Sequence, residues 1–313
     1  MTSKKTFLNE KQACKIPLTH ITQDLNIPEL STVDEYYGAA DILSIENAQK
    51  HQKILFYLSF AGTLLTLFFL LYDEAELYGL IFACIVMIAV IFLINKFADK
   101  LDCHRKYIEY RVLAENLRVH YFLSIAGVKR PVTDIMPWYI KSSVPWIEEI
   151  LESLPEVKLA EKMSILKYWI YDQKAYHESA LEKSKTRKRR DDRTTKIVII
   201  ITVIAYLFAM FFELFILNTP QDFDVNAVRA ILKIVLGTMS AITLFTGSFY
   251  GKMSLENVIN DHERMITLYG AAEKEIQKNG ETEELLIFLA REFLIENSTW
   301  YAYQSKNKPD ILI

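Results

Sequence analysis

Two stretches decide the fold. They are Ile54–Tyr72, ILFYLSFAGTLLTLFFLLY, and Leu77–Asn95, LYGLIFACIVMIAVIFLIN, each 19 residues without an Asp, Glu, Lys or Arg. Ile234–Gly251 extends the pattern over 18 uncharged residues, and Ile197–Leu217 over 21 with Glu213 as its single charge. A bilayer core about 30 Å thick is crossed by about 20 helical residues at about 1.5 Å rise each. Buried helices of soluble proteins seldom stay uncharged that long. The four runs therefore read as transmembrane helices in two hairpins, and the chain as an all-α polytopic membrane protein with a cytosolic helical domain.

The rest of the composition agrees. Only 9 Gly and 8 Pro occur in 313 residues, of which 51% are hydrophobic, so few residues interrupt long helices. A net charge of −3 lacks the basic excess that neutralises phosphates, which argues against a nucleic-acid partner. Cys14, Cys84 and Cys103 are an odd set without metal-ligand spacing, so neither a disulfide framework nor a zinc site is expected. Polar Met1–Ile16 has no apolar run of the kind a cleavable signal peptide needs.

Loop charges predict the topology. Asp73, Glu74 and Glu76 lie between the first two spans, and Asn218–Ala227 between the last two carries Asp222 and Asp224 but no Lys or Arg. Lys50, Lys53, Lys96, Lys100, Arg105, Lys106 and the run from Lys183 to Lys196 flank the other ends. The positive-inside rule puts both termini and the middle segment in the cytosol. The expected layout is a cytosolic segment 1–52, hairpin 53–97, a cytosolic helical region 98–195, hairpin 196–251 and cytosolic helices 252–313. The basic run reads as a topology anchor touching anionic membrane lipids.

Outside the spans, helices are expected over Leu101–Gly127 with Gly127 as C-cap, Trp138–Ser153, Glu161–Ser184, Leu255–Lys278 and Glu281–Tyr303. Pro137, Pro145 and Pro155 separate the middle ones, and Asn279–Gly280 the last two. An internal repeat is suggested by His104, Ile108, Ala114 and Glu115, which recur as His262, Ile266, Ala272 and Glu273 at a constant offset of 158.

No enzymatic constellation is found. His262 and Glu263 adjoin without a second His at helical spacing, and there is no phosphate-cradling Gly loop, Gly-x-Ser-x-Gly elbow or Cys-x-x-Cys. The chain reads as a non-enzyme without cofactor or metal. Polar residues in the spans are more informative, because they are costly in hydrocarbon. Positions 233, 237, 240, 244, 247 and 251 advance by three or four, and Lys233, Gly237, Ser240, Thr243 and Gly247 give the fourth span a small or polar face. That face is either a packing surface, with Gly247 and Gly251 as a close-approach motif, or the lining of a water path formed on oligomerisation. Glu213 is expected to pair with Lys233 across antiparallel spans. In the cytosolic part, Arg111, Glu115 and Arg118 share a helix face. They form either a salt-bridge ladder or a phosphate site beside aromatic platforms from Tyr107, Tyr110, Tyr121, Trp138, Trp146 and Trp169.

The wording of these helices resembles a known group. Tyr110-Arg111-Val112-Leu113-Ala114-Glu115-Asn116-Leu117-Arg118-Val119, through Phe122 and Gly127, is similar to the segment following a transmembrane hairpin in bacterial conflict-system four-TM effectors. These are the modules associated with SLOG and TRPM-like sensors and related to SLATT and SMODS-associated membrane effectors. The likeness continues at Tyr36–Asp41, Trp146-Ile147 and Trp169–Tyr176, and ends near Glu296–Trp300. It implies an anti-phage effector, a homo-oligomer that opens a pore or disrupts the inner membrane. The implied trigger is a cyclic oligonucleotide, another nucleotide-derived signal, or a sensor or nucleotidyltransferase partner. The larger members carry a SLOG sensor domain, for which the 52 residues before the first span leave no room. A constitutive channel or transporter and a non-conducting membrane scaffold remain the alternatives.

Overall fold

The structure, a computed structural model, describes residues 3–159, 162–217, 219, 224–253 and 255–306, with only the backbone described for 248–253. Among them every regular element is a helix, as the apolar runs require. In chain order these are α1 (Lys4–Lys11), α2 (His20–Leu25), α3 (Pro28–Glu74), α4 (Leu80–Leu101), α5 (Cys103–Ile125), α6 (Val132–Ile135), α7 (Trp138–Ser143) and α8 (Pro145–Glu152). A π-helical turn, Leu166–Tyr171, leads into α9 (Asp172–Phe212), which ends in a second one, Glu213–Leu217. α10 (Val225–Met253), α11 (Leu255–Asn279) and α12 (Glu283–Lys306) follow. Asp222, Glu161 and residue 160 lie outside the described residues, as do the side chains of Ser248 and Gly251.

The helices form two compact units. Unit 1 is built from residues up to His51, from Asp102–Leu181 and from Asn260 onward; unit 2 from Gln52–Leu101 and Glu182–Ile259. α3 is unbroken at Gln52.

Unit 2 holds the four apolar runs. Its helices are long and apolar enough to cross a membrane, and they turn large apolar side chains outward: Phe82 is 71% exposed, Phe215 63% and Leu244 74%. Such a surface is stable in hydrocarbon and not in water. The chain is therefore an all-α, polytopic, membrane-embedded protein. The first hairpin turns within Ala75–Gly79, where Glu76 takes the left-handed φ of 54°, and α4 begins at Leu80 instead of Leu77.

Unit 1 is organised around α5, which is buried on every side. Most of its residues are inaccessible, and among them are Glu109, Asn116, Arg118 and His104. Each needs a partner in place of water. Glu109 accepts from the Trp146 indole at 3.1 Å, the Asn116 amide donates to the Val112 carbonyl at 2.9 Å, and His104 Nε2 lies 3.3 Å from the Gln304 carbonyl oxygen. Around α5 the aromatic rings pack on one another. Phe7 contacts Tyr110 and Trp146 at centroid distances of 5.7 and 6.1 Å, and Phe122 stacks on Trp169 at 5.0 Å.

α5 stops as expected. Gly127, at φ 71°, closes a Schellman motif in which Val128 N–H donates to Leu123 and Gly127 N–H to Ser124, both at 3.0 Å. Gly280, at φ 76°, donates to Ile276 at 2.8 Å and ends α11. Two expected helices differ. Trp138–Ser153 is broken at Val144 (φ −138°, ψ 60°), because Pro145 excludes the helical conformation from the residue before it. The helix expected over Glu161–Ser184 starts at Leu166 and runs without a break into the third span, so the basic run from Lys183 lies on α9 itself. The four repeated positions fall on the two helices that return from the hairpins, α5 and α11, and Ala114 and Ala272 are both fully buried.

Candidate functional site

The three residues singled out on α5 come together as one ion network. The Glu115 carboxylate accepts from Arg111 Nη2 and from Arg118 Nη1, each at 2.9 Å, while Arg111 also lies 3.6 Å from Asp41 on α3. Arg118 Nε and Nη2 donate to the Tyr37 hydroxyl at 3.2 and 3.0 Å, and its guanidinium sits over the Tyr37 ring at 5.4 Å. Burial works to raise the Glu115 carboxyl, but Arg118 and Arg111 outweigh it and hold it below the ordinary range. Two guanidiniums thus meet two carboxylates, and the network pins α5 to α3. A phosphate arriving here would have to displace Glu115.

Most of the rings expected as an aromatic platform serve elsewhere, Tyr107 packing edge-on against Trp300 at 5.8 Å. Tyr110, Trp146 and Trp169 are core residues, Tyr121 shares its hydroxyl with Thr19 and Thr22 at 3.1 and 2.9 Å, and Trp138 is 80% exposed. The ring on Arg118 is Tyr37, which lies inside the resembling stretch Tyr36–Asp41 but was not singled out for this role. Also missed were His177 and His262, whose Nδ1 atoms are 3.0 Å apart, with the Tyr269 ring tilted against His177 at 5.7 Å. His262 was visible as one of the repeated residues. Nothing in the sequence marked His177 as its partner.

In unit 2 most of the fourth-span candidates meet neighbouring spans. Thr243 Oγ1 is 2.9 Å from Thr202 Oγ1, and Ser240 Oγ is 2.8 Å from the Tyr206 hydroxyl, both on α9. Gly237 lies against Leu70 of α3, so closely that a β-carbon there would fall 2.5 Å from Leu70 Cδ1. Gly247 has open space beside it.

The expected Glu213–Lys233 pair is not formed. Glu213 is bound by Arg229, whose Nε and Nη2 donate to its carboxylate at 3.1 and 2.6 Å, while Lys233 Nζ donates to Glu74 of the first hairpin at 3.0 Å. The register set by Thr202–Thr243 and Tyr206–Ser240 would put position 213 opposite 232 and 233. The π-helical turn that begins at Glu213 alters that register, and the partner becomes Arg229, one turn farther along. Lys233 is left to the first hairpin.

Among the described residues no group of three or more His, Cys, Asp and Glu side chains is placed to hold a metal ion. Compared with family models, curated proteins and solved structures, the chain matches none.

Proposed function

We propose that the chain is a multi-pass effector of the bacterial inner membrane, closed at rest, that opens a water path or disrupts the bilayer when a cytosolic trigger acts on unit 1. The observation that carries this reading is the polar face of α10. Ser240 and Thr243 sit among apolar spans and are tied to Tyr206 and Thr202 of the same chain. Polar groups in hydrocarbon are costly and face a bundle interior or water. Here each is bonded to a neighbouring helix of the same chain, which supports the reading of a path closed at rest. Each interhelical bond is worth only about 0.6 to 1.7 kcal/mol, so a modest rearrangement exchanges these partners for water.

In this reading copies of the chain assemble, the trigger is nucleotide-derived or a partner protein, and the chain performs no bond-making chemistry. Moving a closed ensemble from about 1:99 to about 99:1 needs a trigger that prefers the open arrangement by about 5.5 kcal/mol. The anti-phage role rests on the resemblance of the α5 wording. A second reading, a non-conducting scaffold, is favoured by one observation, the seating of Leu70 on Gly237.

The test is dye and ion flux through proteoliposomes together with growth after induced expression. The effector reading expects flux and growth arrest that Ser240→Leu abolishes without loss of membrane insertion, since a bulky apolar group favours dewetting of a narrow path. Lys233→Glu should change the preference between cations and anions. Wild-type behaviour of both variants favours the scaffold. A Cys at Glu76 labelled from outside intact cells, with one at Lys158 protected, is the matching topology result.

A further inference from the structure

Glu213 stands where α9 gives way to its π-helical turn, Glu213–Leu217, near the turn end of the second hairpin. A π turn is a rare departure from the α-helix, and such turns recur at functional sites. This one selects the cation that the carboxylate meets. Before it, α9 and α10 keep a regular register, held by Thr202–Thr243 and Tyr206–Ser240 at 2.9 and 2.8 Å. Continued as an α-helix, that register brings 213 opposite 232 and 233. With the π turn, Glu213 instead accepts from Arg229, from Nη2 at 2.6 Å and from Nε at 3.1 Å. Arg229 and Lys233 are one turn apart on α10, about 6 Å along its axis. One carboxylate thus has two cations within a helical turn of each other.

Lys233 is engaged elsewhere while Arg229 holds Glu213. Its Nζ donates at 3.0 Å to Glu74, the last residue of α3, so the pair ties the first hairpin to α10. One turn farther along α10, Gly237 lies against Leu70 of the same helix α3. The register of α9 on α10 and the seating of α10 on α3 therefore share a residue, Lys233. Glu74, Arg229 and Lys233 lie outside the apolar runs, and Glu213 is one turn from the end of its own. At that depth long charged side chains reach water, so an exchange of partners strands no charge in hydrocarbon.

We propose that Glu213 is a two-position switch. In the closed arrangement the π turn gives Glu213 to Arg229 and leaves Lys233 to Glu74, which makes two ion pairs. When the turn relaxes to an α-helix, Glu213 takes Lys233, Arg229 and Glu74 are released to water, and the first hairpin loses its ionic tie to α10. The second pair favours the closed arrangement at rest. The change is a partner exchange over one helical turn, the discrete kind of step by which packed helices switch. The assignment deepens the proposed function by naming the contact that changes when the path opens, and it rests on that reading only for the link to flux.

The test combines thermal unfolding of the full chain in detergent with flux through proteoliposomes, read on the same variants. In the wild-type background Glu213→Gln and Arg229→Gln should be non-additive in melting temperature, whereas Glu213→Gln and Lys233→Gln should add. In the Arg229→Gln chain the coupling should migrate. There Glu213→Gln and Lys233→Gln become non-additive, and Glu74→Gln lowers the melting temperature less than in wild type, because Lys233 spends part of its time on Glu213. Flux without a trigger should rise about two- to fivefold in Arg229→Gln, the shift in a two-state balance that follows the loss of one exposed pair. Adding Glu213→Gln to that chain should bring flux down again, since the second position is then lost while Lys233 keeps Glu74. Glu213→Arg with Arg229→Glu rebuilds the first position and sets two cations against each other in the second, so flux should stay at or below wild type.

An ordinary clamp between Glu213 and Arg229 behaves differently. Once Arg229 is gone, Glu213→Gln has nothing further to release, and the raised flux stays where it is. That outcome overturns the switch, as do additive melting effects of Glu213 and Lys233 in the Arg229→Gln chain. If no variant conducts, the melting cycles still decide the switch while the membrane-path reading fails; if flux is present and the cycles stay additive, the path stands and the switch falls.

Discussion

His177 and His262 face each other ring to ring in unit 1, Nδ1 to Nδ1 at 3.0 Å, so at any moment one donates and the other accepts. That contact requires at least one neutral imidazole. Burial first, and then His262, pushes His177 down from 6.5 to about 4, against the opposing pull of Glu115. Burial and then Arg111 lower His262 as well. In the unfolded chain each ring takes up a proton near the ordinary histidine value, and in the folded chain only well below it. As the pH falls through that value the unfolded state binds protons first and stability drops, by up to about 1.4 kcal/mol per pH unit per group, until the folded His177 itself titrates. The melting temperature of the detergent-solubilised protein should therefore fall between about pH 6.5 and about pH 4. His177→Gln with His262→Gln should flatten that slope, leaving the part due to His120, which titrates over the same window. An unchanged slope would place the acid sensitivity elsewhere.

Arg111 and Arg118 share Glu115 but not their surroundings. The Arg118 side chain is 8% exposed and holds both Glu115 and Tyr37, whereas Arg111 is 26% exposed. A lysine at 118 reaches one partner where the guanidinium fork reaches two. Arg118→Lys should therefore lower the melting temperature by several degrees, given about 2 to 4 °C per kcal/mol in a chain of this size. Arg111→Lys should stay close to wild type, and Arg118→Ala should lose about 1 to 3 kcal/mol, because Glu115 keeps Arg111 while the Tyr37 hydroxyl loses both its donors. Equal and small effects at both positions would return the pair to an exposed salt-bridge ladder.

What the sequence disclosed and what it withheld follow from the range of the forces involved. The spans were legible because hydrocarbon demands uncharged runs of a set length, and the α5 stop because Gly127 and Pro131 act locally. The partner of Glu213 was not legible. One π-helical turn shifts a side chain enough to exchange Lys233 for Arg229, and nothing in the composition marks that turn. The role of α5 as the axis of unit 1 was hidden for another reason. Its apolar residues surround the whole helix with Glu109, Asn116 and Arg118 interleaved, so no apolar stripe identifies the core, and the burial of those polar groups depends on Trp146 and Tyr37 far away in sequence.

Glu281 caps a helix more than a hundred residues before it. Its carboxylate accepts from the backbone N–H of Ile165 and Leu166, both at 3.0 Å, and from Ser164 Oγ at 2.5 Å. These are the orphan donors at the start of the π turn that opens the α9 rod. Glu281→Gln keeps one acceptor and should cost about 1 kcal/mol, while Glu281→Ala leaves the donors unpaired and should cost about 1 to 3 kcal/mol. Chemical denaturation in detergent measures both, and hydrogen exchange at 165 and 166 should quicken first. Unchanged exchange there would mean that other groups cap the turn.

Gly237 lacks a side chain because Leu70 occupies the space. A β-carbon at 237 would fall 2.5 Å from Leu70 Cδ1 and 3.2 Å from Cδ2, and those atoms are the far end of a flexible side chain. Gly237→Ala should thus displace Leu70 at a cost of about 1 to 3 kcal/mol, the usual penalty of overpacking. Leu70→Ala removes the obstacle, so the double variant should be more stable than the sum of the single effects, with a coupling of about 0.5 to 3 kcal/mol. The same cycle separates packing from path lining. If the Gly237–Leu70 contact holds the closed arrangement of α3 against α10, Gly237→Ala should raise flux in the absence of any trigger, and Leu70→Ala in the same chain should bring it down again. If Gly237 instead lines the open path, a methyl group there should reduce triggered flux, and Leu70→Ala should not restore it. Absence of coupling in both stability and flux would remove the contact from the closed state altogether, leaving the Thr202–Thr243 and Tyr206–Ser240 bonds as the groups that hold α10 in place.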